Sequence, residues 1–242
     1  MQTKKIEGIV INETNYSESS KILSVLTKDF GIISIMSKGC RKIKSKLRSV
    51  STKLTYGNFL INYKENGIST LIDVDTIFVF KNIMLDINKI SYSSYILELA
   101  TQVAKQNSDS DILDILIKSL NKIEEGLDPL IISLIAELKY LKYLGIDISL
   151  DCCSECGSTS DILTLSSDRG GYICKDCYNN EFIVTEKTIK VIRLLYHVDI
   201  DKLTKLNLSE KTIKEINTFL EEYYDKYSGL YLKSKKFLKI LV

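Results

Sequence analysis

Two cysteine pairs constrain this chain more than any other feature. Cys153-Ser154-Glu155-Cys156 is followed by Gly157, and seventeen residues separate Cys156 from Cys174-Lys175-Asp176-Cys177. Two thiolates with two residues between them can reach one cation from a tight knuckle. Two such knuckles complete a tetrahedron. Gly157 suits the turn after the first knuckle, and Asp168-Arg169-Gly170-Gly171 reads as a turn that brings the second pair back. Four thiolates leave no open position for water, so the expected ion is one structural Zn²⁺ held by Cys153, Cys156, Cys174 and Cys177. Cys152 complicates the first knuckle. From Cys152 the spacing to Cys156 would be three residues, so Cys153 is the expected ligand and Cys152 a spectator or a swap candidate. Two reduced or redox-active dithiols are the other reading, but no βαβ pattern surrounds them. Cys40 stands alone in a basic stretch and reads as an unligated thiol.

Metal binding also fits the expected compartment. The N-terminal Met1 to Glu7 stretch has no apolar signal-peptide core, and no run approaches the ~20 apolar residues of a membrane span. A cytoplasmic protein keeps its thiols reduced. The 242 residues are 45% apolar and 26% charged, ordinary for a globular chain, and the net charge of +2 says little.

Residues 1 to about 80 read as β. Runs at Ile6–Ile11, Lys21–Thr27, Gly31–Met36, Leu54–Tyr63 and Ile68–Phe80 are broken by turn residues, including Asp29-Phe30-Gly31 and Glu65-Asn66-Gly67. Asn-Gly predicts a tight hairpin in which both central residues take positive φ. Five short strands suggest a small barrel or sandwich. From near Asn82 the apolar period becomes helical. One helix is predicted to start with Asp128 as its cap and Pro129 in its first turn, and to run through Leu144 to a stop at Gly145. After the Cys-rich insert, Thr185-Glu186 and Ser209-Glu210 read as helix starts.

From Phe30 through Lys64 there is no acidic residue. Lys38, Arg41, Lys42, Lys44, Lys46 and Arg48 cluster there among serines. Cations and hydroxyls on a loop can neutralise phosphates and release counterions, so these six are the candidate DNA-binding residues. A solvated loop in a Lys-rich chain is the bland alternative. Phe30, Tyr56, Phe59 and Tyr63 are aromatics that could stack bases or fill a core. Lys233-Ser234-Lys235-Lys236 is a weaker basic patch.

Catalysis has little to build on. The single histidine, His197, lies in an apolar helical run and reads as a packing residue. There is no phosphate-binding G-x-x-x-x-G-K-[ST] loop and no H-E-x-x-H. Asp73 and Asp75 share a strand face, which is weak support for a metal nuclease. The chain is therefore not expected to be an enzyme.

Taken in order, these motifs resemble the bacterial RecO family of recombination mediators across nearly the whole chain. Gly8-Ile9-Val10-Ile11, then Tyr16 to Leu23 with Thr27 and Phe30-Gly31, is similar to its N-terminal signature. Lys38-Gly39, Arg41-Lys42 and Ser45 resemble its basic loop. Leu144-Gly145, Leu150-Asp151, the two cysteine pairs and Gly170-Gly171 resemble its zinc segment, and Leu232 to Leu238 its tail. The resemblance implies an α+β chain. An OB-type five-stranded barrel (1–80) would be followed by a helical domain (81–149 and 181–242) carrying an inserted four-cysteine zinc element (150–180). It further implies a protein that binds single- and double-stranded DNA and anneals complementary strands without ATP. The implied partners are RecR, RecF and single-stranded DNA-binding protein, in a cytoplasmic, nucleoid-associated setting. The rival reading is a zinc-stabilised adaptor that recruits proteins and does not bind DNA.

Overall fold

The computed structural model describes residues 2–235 and 238. Five strands come first: β1 (Gln2–Tyr16), β2 (Ser20–Thr27), β3 (Gly31–Ser37), β4 (Tyr56–Tyr63) and β5 (Ser69–Phe78). They close in the order β1-β2-β3-β5-β4, with β4 returning to β1. The β3–β5 closure is the parallel one, at Ile35–Ser69 and Met36–Thr70, and the other pairings are antiparallel. This is the five-stranded OB-type barrel.

Strand alternation explains why the barrel fills itself. Ile6, Val10, Leu23, Val25, Ile35, Phe59, Ile61, Leu71 and Val74 point inward and form its core. Alternation turns Val10 into the barrel and Ile9 and Ile11 outward, and at Ile11 the β1–β2 register slips by one residue in a bulge. Ile9 and Ile11, with Leu26, join a second and larger core shared with the helices. Part of the barrel's outer wall is therefore covered. The alternation also settles Phe59, which is 0% exposed inside the barrel and cannot stack on a base.

The sequence predicts a tight Asn-Gly hairpin between β4 and β5. The structure has a longer loop, Lys64 to Ile68, in which Gly67 alone takes positive φ (151°). Five residues span the turn without forcing Asn66 into the left-handed region.

The helices are α1 (Lys81–Met84), α2 (Ile87–Gln106), α3 (Asp111–Glu124), α4 (Pro129–Tyr140), α5 (Glu186–His197) and α6 (Glu210–Tyr227). The predicted caps form. Asp128 accepts from the N–H groups of Leu130 and Ile131, Thr185 from Thr188, and Ser209 from Thr212. α4 is apolar on nearly every face and lies at the centre, in contact with α2, α3, α5 and α6. It ends earlier than predicted. Leu141–Leu144 tightens into a 3-10 turn before Gly145 (φ 71°), which closes the segment. The one acid in α4, Glu137, is buried and accepts a hydrogen bond from the Tyr95 hydroxyl at 2.7 Å. Burial raises its pKa above the ordinary carboxylate range.

Between α4 and α5 a three-stranded sheet folds in the order β6 (Ser149–Cys153), β8 (Gly171–Cys174), β7 (Ile162–Ser166). Leu150, Leu165 and Tyr172 pack from it into the helical core. No helix among the described residues is long and apolar enough to cross a membrane.

Candidate functional site

The four cysteines meet. The Sγ atoms of Cys153, Cys156, Cys174 and Cys177 all lie within 4.8 Å of one another, and those of Cys156 and Cys174 are 3.6 Å apart. Such a cluster can hold a metal ion. Each pair sits where the chain leaves a strand. Cys153 ends β6 and Cys174 ends β8, and Cys177 closes a single 3-10 turn after β8. The first knuckle is made by the Gly157 N–H donating to the Cys153 carbonyl at 2.9 Å, with Gly157 at φ 74°. Cys152 is outside the cluster. Neighbouring side chains on a strand point to opposite faces, and Cys152 Sγ instead lies 3.4 Å from the Ser149 hydroxyl.

The electrostatics favour a cation. Burial works against ionising Cys153, but N–H groups of Cys156, Cys174 and Glu155 hold its pKa down to about 6. The contacts of Cys177 with Cys156 and Cys174 push that thiol up to about 12. One thiolate is readily formed among the four, and the next must form beside an existing negative charge. A divalent ion removes that penalty.

Around the cysteines lies a second layer that the spacing did not point to. The Arg169 guanidinium donates to the Cys177 carbonyl at 2.8 Å and pairs with Glu181 at 3.4 Å and Glu155 at 3.8 Å. It thereby ties the turn between β7 and β8 to both knuckles. Its sequence signal was its place in the turn, without a hint of its partners. Gly171 makes the β6–β8 approach possible. A Cβ there, at φ 150°, would sit 2.1 Å from the Ser149 carbonyl oxygen.

The six basic residues lie together on the segment joining β3 to β4. Lys38, Arg41, Lys42, Lys44, Lys46 and Arg48 are all exposed. Among the described residues none of the six pairs with a carboxylate. The segment is nonetheless anchored. Arg41 donates through its backbone N–H to the Ser19 carbonyl at 2.9 Å and through its guanidinium to the Ser17 carbonyl at 3.1 Å. The buried hydroxyls of Ser37 and Ser51 meet at 2.7 Å, and Lys21 donates to the Ser51 carbonyl at 3.1 Å. Leu47 and Val50 pack against the barrel core, and Cys40 is buried. Successive turns link Lys42 to Gly39, Ser45 to Lys42 and Arg48 to Ser45.

The remaining candidates separate. Phe30 and Tyr63 stand 5.2 Å apart, with the Lys4 ammonium over both rings. Tyr56 donates its hydroxyl to Glu7 at 2.5 Å. Asp75 is paired with Lys5 at 3.3 Å, and Asp73 accepts from the N–H of Val74. His197 is half exposed, 3.0 Å from Asp151 and packed edge-on against Tyr196. Lys233 and Ser234 donate their N–H groups to Glu98, while Lys236 and Phe237 lie outside the described residues.

Comparison with known proteins agrees with this layout. Residues 1–80 match the family model described as Recombination protein O N terminal, and residues 84–236 the model Recombination protein O C terminal. A DNA repair protein RecO from Bacillus cytotoxicus is 36% identical over 98% of this chain and 97% of its own length. The proteins of that name from Halalkalibacterium halodurans (34%; 97% and 93%) and Bacillus cereus strain AH187 (36%; 98% and 97%) are similar to it to the same degree. The two models meet where the barrel hands over to the helices, and the relatives are matched almost end to end, so the chain belongs to the RecO family.

Proposed function

We propose that the chain is a DNA repair and recombination mediator that holds nucleic-acid backbones on its β3–β4 segment. One observation carries this reading. Six exposed cations sit on an anchored, acid-free segment, and among the described residues none is neutralised by a carboxylate of the chain. Charges left unpaired on a fixed loop are available to phosphates, and bound phosphates release counterions. Screening two backbones at once would lower the repulsion between complementary strands. Annealing of this kind needs no ATP, and the sequence holds no ATP-binding loop of the G-x-x-x-x-G-K-[ST] kind. In this reading the partners are RecR, RecF and single-stranded DNA-binding protein, and the setting is cytoplasmic and nucleoid-associated.

The division into a barrel (1–80), helices (81–149 and 181–242) and a cysteine element (150–180) belongs to the same reading. So does the identity of the ion. Zn–S bonds of ~2.3 Å place tetrahedral sulfurs about 3.8 Å apart. The 3.6 Å between Cys156 and Cys174 fits that edge. Cys153, Cys156, Cys174 and Cys177 would hold Zn²⁺ with no position left for substrate, so the ion would brace the fold.

The test is a titration of labelled single- and double-stranded oligonucleotides at several salt concentrations. Lys38, Arg41, Lys42, Lys44, Lys46 and Arg48 are replaced together by Ala. The expected result is weaker binding to both DNAs and a shallower salt dependence, by roughly 0.7 in log–log slope per lost single-strand contact. An unchanged affinity and slope would show that the segment does not bind DNA. If the unsubstituted chain binds neither DNA at low salt, the adaptor reading replaces this one.

A further inference from the structure

The segment that carries the six cations does more than display them. Its second half, Ser49 to Thr55, turns back along the barrel and walls a cleft of about 320 Å³ against the end of β5. That volume lies at the lower end for small-ligand pockets, ~300–1,000 Å³. The lining includes the hydroxyl residues Ser49, Thr52, Thr55 and Thr76, the cation Lys53, and the aromatic Phe78. No acidic residue lines it. Glu98, whose charge is felt at Lys53, is already engaged by the N–H groups of Lys233 and Ser234 and by the Ser234 hydroxyl.

Phe78 is one of the exposed aromatics on the barrel strands. It ends β5, opposite Tyr56, and remains 43% exposed. Its ring makes an edge contact with the buried Phe80, centroids 5.2 Å apart, so it is held in place while much of it stays in water. The facing wall is equally fixed. Leu54 is buried with φ at +69°, a costly conformation for a branched side chain. Its N–H donates to the Val10 carbonyl at 2.9 Å, and the Val10 N–H donates to the Thr55 carbonyl at 2.9 Å. A cleft with a fixed aromatic, several hydroxyls, one cation and no acid suits a flat ring attached to a phosphate. It also begins at Ser49, the residue next to Arg48, so a strand lying on the cations can reach it.

We propose that this cleft receives one unpaired base of single-stranded DNA, stacked on Phe78, with Lys53 and the hydroxyls at the adjoining phosphate and base edge. The inference rests on the DNA-binding reading and adds a specificity to it. A duplex has no free base to offer, so the cleft would favour single strands, whereas the six cations serve both forms.

The test uses the full chain with labelled single-stranded, duplex and abasic oligonucleotides of equal length. Phe78→Ala is expected to weaken single-strand binding roughly 5- to 150-fold, as loss of one stacking partner does. Duplex and abasic-strand affinities should stay within about twofold. The chain has no tryptophan, so Phe78→Trp supplies a single fluorescent reporter. Its emission should be quenched by the single strand and unaffected by the abasic one. Equal losses for all three DNAs, no loss for any, or an indole emission that the single strand leaves unquenched would overturn the cleft assignment while leaving the cation segment standing. Absence of DNA binding by the unsubstituted chain would overturn both.

Discussion

The guanidinium of Arg169 donates to the carbonyl oxygen of Cys177 across 2.8 Å, and the same group reaches Glu155 between the first two cysteines. A residue that binds no metal thus fixes the spacing of both knuckles. Groups that orient metal ligands typically contribute 10- to 100-fold in affinity. If the cluster holds Zn²⁺ as proposed, Zn²⁺-loaded Arg169→Ala should therefore give up the ion to a colorimetric chelator at a concentration roughly 10- to 100-fold lower. Arg169→Lys should recover little, because an ammonium cannot reproduce the planar fork. Equal chelator resistance in all three proteins would count against this role.

Gly171 is expected to tolerate no side chain. A Cβ at 2.1 Å from the Ser149 carbonyl must displace backbone, and φ of 150° is strained for any other residue. Gly171→Ala should cost at least about 1–3 kcal/mol and separate β6 from β8. Chemical denaturation would show the loss. Metal content should fall in parallel, because Cys153 and Cys174 end those two strands.

Phe59 tests the barrel core. It is fully buried among Ile6, Val10 and Ile61. Phe59→Ala should destabilise the chain by about 3–5 kcal/mol, a transfer loss plus a cavity. Phe59→Leu should cost less. A shift in the urea midpoint smaller than that of an exposed substitution such as Ile43→Ala would contradict the assignment.

Glu215 predicts a pH dependence. Its carboxylate accepts from the Thr185 N–H at 3.0 Å, the Thr185 hydroxyl at 3.1 Å and the Thr188 hydroxyl at 2.5 Å, joining α6 to the start of α5. Burial opposes ionisation, but these donors outweigh it and hold the pKa below the ordinary value. A depressed folded pKa means the stabilisation is complete above the unfolded value, about 4.3, and is lost as pH falls through the folded one. Glu215→Gln should cost about 1–3 kcal/mol near neutral pH. It should also flatten the fall in stability below pH ~4, as measured by denaturation at a series of pH values.

The sequence was most informative where a local rule decides the outcome. Cap residues such as Asp128, Thr185 and Ser209 act within one turn, so their helices start where predicted. The strand runs were legible for the same reason, although β1 extends well beyond Ile6–Ile11 because both its neighbours continue to pair with it. The Asn-Gly turn failed because loop length, set by where Tyr63 and Ser69 find partners, overrode the local preference. Nor could aromatic spacing separate Phe59, inside the barrel, from Phe78, at its rim. That depends on the closure of β3 with β5 and on the helices covering Ile9, Ile11 and Leu26.

By itself the sequence determined the order of a β-rich first third, a helical remainder and a paired-cysteine insert within it, because periodicity, capping and knuckle spacing are short-range properties. It also determined that residues 30 to 64 carry no negative charge. Spacing already favoured Cys153 over Cys152, and the tertiary structure supplied the reason the two separate, since opposite strand faces part adjacent side chains. Only the tertiary structure decided the Arg169 brace and the cleft beside Phe78. Each brings together groups far apart along the chain, and their meeting depends on how the strands pair and pack.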